Sequence, residues 1–118
     1  MATVAQHKFF IEFQDVDTAA AGTLAEELRE YLLSADPAVS AERRRADQSS
    51  MDFGATLILL LGAPAAVAVA KGIEVFLARY QSAAIRITGA DGSIIVENLT
   101  SRQASNLALK LSKATAVP

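Results

Sequence analysis

The sequence predicts a single α+β domain, a two-layer sandwich in which a small mixed sheet packs on helices in the order β-α-β-α-β-β-α. Three observations carry that prediction. Apolar residues alternate along Lys8-Phe9-Phe10-Ile11-Glu12-Phe13-Gln14, as they do in a half-buried strand. Leu24, Leu28 and Leu32 then recur every four residues, the spacing of one helix face. Two β-branched runs, Ile85-Arg86-Ile87-Thr88 and Ile94-Ile95-Val96, flank Gly89-Ala90-Asp91-Gly92, which reads as a hairpin between the third and fourth strands. A chain of 118 residues has the size of one domain, 1–118, with an ordered core at about 8–113.

In the first strand Phe9, Ile11 and Phe13 share one face, and Phe10 points to the other. Asp15, Asp17 and Thr18 supply a turn and helix caps. The first helix spans 18–35, with Glu26, Glu27, Arg29 and Glu30 on its wet side. Gly22 weakens its beginning, and Thr23-x-x-Glu26 offers a capping box for a later start. Asp36-Pro37 ends it, because the residue before proline resists the α conformation. Residues 38–48 alternate Val39, Ala41 and Arg43 with Ser40, Glu42 and Arg44, a short strand with one modest apolar face. Residues 47–52 read as loop.

Residues 53–70 contain no charge, the conventional minimum length for a membrane span. Eight of the eighteen are strongly apolar, but nine are Ala, Gly or Pro, and Gly62 and Pro64 interrupt the middle. The expected arrangement is a buried segment at 53–61, helix or strand, followed by a helix at 64–80 begun by Pro64. The stripe of that helix is Val69, Ile73, Phe76, Leu77 and Tyr80. The segment therefore faces a core, a partner or, as the alternative, a bilayer. After the hairpin, Thr100-x-x-Gln103 reads as a capping box for a final helix carrying Leu107, Leu109 and Leu111, and 114–118 is expected to fray.

The composition bounds the chemistry. Eleven Lys and Arg against thirteen Asp and Glu give a net charge of −2, which argues against a nucleic-acid partner. No Cys and one His, His7, remove disulfides, thiol nucleophiles and multi-histidine metal sites. His7 has no serine or cysteine pattern near it and reads as a solvated residue. Glu26/Glu30 and Asp15/Asp17 are paired in sequence, but nothing places either pair in an apolar pocket that would raise a carboxyl pKa. Phosphate-loop spacings are absent. These readings predict no enzyme, no cofactor and no metal site. The first twenty residues have no basic start followed by an apolar run, so the expected location is cytoplasmic.

Two features suggest partner contacts. Arg43-Arg44-Arg45 is the one dense charge run, either a docking patch for an acidic protein surface or an edge strand guarded by charge. Arg86 extends that patch if the two strands are neighbours. Phe10, on the back of its strand, is the exposed-hydrophobe candidate. Partner-binding residues are thus expected among Arg43, Arg44, Arg45, Arg86 and Phe10, with a protein effector, a sensor component or a second copy as the partner.

Several of these motifs together resemble the effector-associated constant component family of bacterial conflict systems. The resemblance runs through Leu28-Arg29-Glu30-Tyr31-Leu32 before Asp36-Pro37, the arginine-rich strand after it, and Met51-Asp52-Phe53-Gly54-Ala55 leading into an apolar run. It continues through Phe76-Leu77-Ala78-Arg79, the hairpin at 85–92 and the last helix with Leu107 and Leu111. Asp47-Gln48-Ser49-Ser50 stands where the family often carries prolines, and Tyr31 and Phe76 stand near positions where Trp is common. The resemblance implies a small non-catalytic module working beside a variable effector, such as a caspase-like or trypsin-like protease. It would couple invader sensing to that effector by protein–protein contact. It supplies no catalytic residues.

Overall fold

The computed structural model describes residues 7–14, 16–44, 56–81 and 83–115. Strand β1 (His7–Gln14) leads into helix α1 (Thr18–Ala35). Asp17 starts the helix in the expected way: its Oδ1 accepts a hydrogen bond from the Ala20 N–H at 2.7 Å, satisfying one of the first-turn donors. The later start at Thr23 is not used, and its hydroxyl instead donates back to the Ala19 carbonyl at 3.3 Å. Asp17→Ala should therefore cost about 1 kcal/mol, read as a lower urea midpoint with an unchanged slope. Past the helix, Asp36 is extended and its carboxylate accepts the Ala38 N–H at 2.8 Å, turning the chain through Pro37.

Strand β2 (Ser40–Arg44) and strand β3 (Thr56–Leu61) follow as antiparallel neighbours. The expected loop at 47–52 lies outside the described residues, as do 53–55. The ambiguous apolar run resolves as strand over Thr56–Leu61. Its two faces explain why alternation could not show this. Leu57, Leu59 and Leu61 enter the core, while Ile58 and Leu60 lie half-buried on the opposite face, so both sides are apolar. The Ala65 N–H donates to the Gly62 carbonyl across a 3-10 turn at Ala63–Ala65. Helix α2 (Ala66–Arg79) then buries Ala66, Val69, Ala70, Ile73, Phe76 and Leu77. The alternative of a span at 53–70 is corrected by this division: among the described residues, no helix is long and apolar enough to cross a membrane.

Strands β4 (Ala84–Gly89) and β5 (Ile94–Leu99) form the expected hairpin. The chain turns through residues 90–93, with the Gly92 N–H donating to the Gly89 carbonyl and the Gly89 N–H to the Ser93 carbonyl. Gly92 sits at φ 88°, a conformation open to glycine at little cost. Helix α3 (Leu107–Thr115) is the last of the described elements. The Thr100 capping box does not open it: the Gln103 N–H donates to the Thr100 carbonyl in a turn, and a 3-10 turn at Ala104–Asn106 precedes the helix.

The sheet order is β2-β3-β1-β4-β5, antiparallel at every junction. The expectation of a mixed sheet is corrected here. Strands β1 and β2 run in the same direction, but β3 pairs antiparallel with both and separates them. The helices cover one face. Phe9, Ile11, Leu59, Ile85 and Ile87 meet Leu28, Leu32, Ile73, Phe76 and Leu107 in one core. Phe76 is the centre of an aromatic cluster, with ring centroids 6.0 Å from Phe13, 5.7 Å from Tyr31 and 4.8 Å from Tyr80. The Tyr80 hydroxyl donates to Glu27 at 3.3 Å, tying α2 to α1 at the rim of that cluster.

Candidate interaction face

Because side chains alternate along a strand, the sheet has a second face, against which none of the described helices packs. On β1 it presents Lys8, Phe10, Glu12 and Gln14. Register places Phe10 opposite Ile58 on one side and Thr88 on the other. Ile58 in turn stands opposite Glu42, and Thr88 opposite Ile94. Directly opposed residues share a face, so a transverse row reads Glu42, Ile58, Phe10, Thr88, Ile94 across all five strands. Phe10 and Ile58 are half-buried. Ile94, on an edge strand, is 57% exposed.

Charges flank the row. Lys8 is opposite Leu60 on one side of it, and Glu12 is opposite Arg86 on the other. The Arg86 guanidinium donates through Nη2 to Glu97 at 3.0 Å across the hairpin, while its Nε is buried without a partner among the described residues. Exposed pairs of this kind contribute about 0–1 kcal/mol, so Arg86 is held in place more than it stabilises the sheet.

Of the predicted partner residues whose side chains are described, Phe10 and Arg86 lie on this face together. Arg43 shares the helix-side face with Ala41. Its Nη1 lies 3.3 Å from Glu26, and Glu26 also meets Arg29 at 3.4 Å. Arg29 Nε further donates to the Ala41 carbonyl at 3.1 Å. Arg43 thus ties the β2 edge to α1. Arg44 ends β2 opposite Thr56, and Arg45 lies outside the described residues. The idea that Arg86 extends the arginine run is corrected: β3 and β1 stand between β2 and β4, a separation of about 14 Å at the usual strand spacing.

Sequence reasoning missed Ile58, Leu60 and Ile94. The first two sit in a leucine-rich run without a polar marker, and Ile94 sits in a run whose register shifts between Val96 and Ile94. Lys8 and Glu12 were legible from the same alternation that singled out Phe10.

The other candidates lie elsewhere. A shallow depression of about 540 Å³ between the start of β1, the hairpin loop and α3 is lined by His7, Lys8, Asp91, Ser93 and Ala114. His7 Nε2 is buried there without a partner among the described residues. The Asp91 carboxylate accepts the Ser93 N–H at 3.0 Å, and that bond, with the Ser93 hydroxyl, holds its pKa below the usual aspartate value. Arg79 on α2 is held more firmly protonated by the nearby Tyr31 and Tyr80. Glu26 is engaged by arginines, and Asp17 by its helix. Among the described residues, no group of three or more His, Cys, Asp or Glu is placed to hold a metal ion. The chain matches no family model, no curated protein and no solved structure.

Proposed function

We propose that the chain is a non-catalytic protein–protein interaction module, an adaptor or regulatory component that couples to an effector, such as a caspase-like or trypsin-like protease, in a bacterial defence-type system. The observation that supports this most is the sheet face against which none of the described helices packs. An apolar row centred on Phe10, bordered by Lys8, Glu12, Arg86 and Glu97, has the apolar centre and charged rim of a protein contact surface. The resemblance carried by 28–37, 51–61 and the hairpin points to the same kind of module. In this reading the module acts in the cytoplasm, uses no cofactor, and engages protein rather than nucleic acid or a bilayer.

The test is co-expression of this chain, affinity-tagged, with any protease or nucleotide-binding ATPase found encoded beside its gene. The wild-type chain should retain the effector, and Phe10→Glu should lose it by at least about tenfold with the circular dichroism spectrum unchanged. An effector that does not co-purify with the wild-type chain overturns the reading. Equal retention by Phe10→Glu removes the sheet face from it.

A further inference from the structure

We infer that the face left bare by the described helices takes a second copy of the same chain, face against face, about a two-fold axis that lies along the apolar row. This inference rests on the reading of that face as a contact surface, and it names the occupant. The edges of the sheet offer poorer alternatives. At the β2 edge, Arg29 occupies the Ala41 carbonyl and Arg43 is drawn to Glu26. At the β5 edge, the ladder carries register shifts between Ile85 and Thr88, and Asn98 turns to φ 56°. Addition of a further strand needs a regular ladder, so the face is the surface left to pair.

The second copy is singled out by charge. Lys8 and Glu12 stand on the same face of the central strand, two residues to either side of Phe10, about 7 Å along β1 in each direction. Neither has an ion-pair partner among the described residues, whereas Arg86 is engaged by Glu97. A two-fold rotation about the row returns Phe10 and Ile58 onto their own copies and exchanges the two sides of the row. Lys8 of one protomer then lies over Glu12 of its partner, and the same contact is made a second time. Isologous interfaces require this kind of self-complementarity. Aligned packing of two sheets at about −30° keeps the central strands in register and rotates the edge strands apart, leaving Glu42 at the rim.

The arrangement is tested by sedimentation equilibrium of the full chain. The wild type should dimerise. Lys8→Glu and Glu12→Lys, each alone, set like charges opposite each other twice and should weaken association by at least about tenfold. An equimolar mixture of the two variants opposes glutamates to lysines at both contacts and should associate more tightly than either variant alone. The double variant Lys8→Glu/Glu12→Lys should recover the wild-type affinity. Ile58→Lys, half-buried on the strand beside β1, should weaken the dimer without relying on any change on β1. A chain that stays monomeric throughout, or a mixture that associates no better than its components, overturns the proposal. Monomeric behaviour together with Phe10-dependent effector retention removes the second copy and leaves the proposed function standing. A dimer with the stated charge pattern and no effector retention does the reverse.

Discussion

Phe76→Ala should lower the unfolding free energy by about 3–5 kcal/mol, a large fraction of the roughly 5–15 kcal/mol of a domain this size. The ring is fully buried on α2 and touches three other aromatic rings, from β1, α1 and the end of α2. Two of those contacts are edge-on, at 61° and 80° between ring planes, the arrangement in which ring edges meet ring faces favourably. Truncation removes the contacts and leaves a cavity that three elements must collapse around. Two further consequences distinguish this site from an ordinary core position. With no Trp in the chain, the near-ultraviolet dichroism comes largely from Tyr31 and Tyr80, and it should fall before the far-ultraviolet signal does. Phe76→Leu, which keeps most of the volume but not the ring edges, should cost less than half as much as alanine. An alanine variant within about 1 kcal/mol of wild type would mean that the cluster does not organise the helix layer.

The parts of this fold that could be read from sequence are those decided within a few residues. The Asp17 cap depends on a carboxylate three residues before the N–H it accepts, and the hairpin on the backbone freedom of Gly92. The helices at 18–35 and 66–79 show their buried stripes because their other faces are wet. Where both faces of an element are apolar, as at Thr56–Leu61, periodicity has nothing to contrast, and helix and strand remain equal. Sheet order is further out of reach. That β3 inserts between β1 and β2 is fixed by long-range pairing of Phe10 with Ile58 and of Glu42 with Ile58, and no local pattern encodes it. The candidate face shows both limits. Phe10 was legible as the residue on the wrong side of its strand. The arginine run was legible as charge, but its division between the helix-side face at Arg43 and the end of the strand at Arg44 depended on a register that only the assembled sheet supplies.

Phe9→Ala and Phe10→Ala, one peptide bond apart, should behave oppositely. Phe9 is 2% exposed and packs into the helix-covered core, so its truncation should cost about 3–5 kcal/mol. Phe10 is half-buried on the face that none of the described helices covers, and its neighbours there are Ile58 and Thr88 rather than a second layer. Removing its ring gives up only part of what a fully buried one would, about 1–2 kcal/mol at the usual value per unit of area. Urea unfolding of the two variants, run at a concentration where the wild type is monomeric so that association does not add to stability, measures the difference directly. Binding should show the reverse order: Phe9→Ala, while folded, keeps its contacts, and Phe10→Ala loses them. A side chain that holds the fold and a side chain that meets a partner are then separated by the two-residue period of one strand. Equal losses of stability at the two positions would show that the chain itself covers both faces of the sheet.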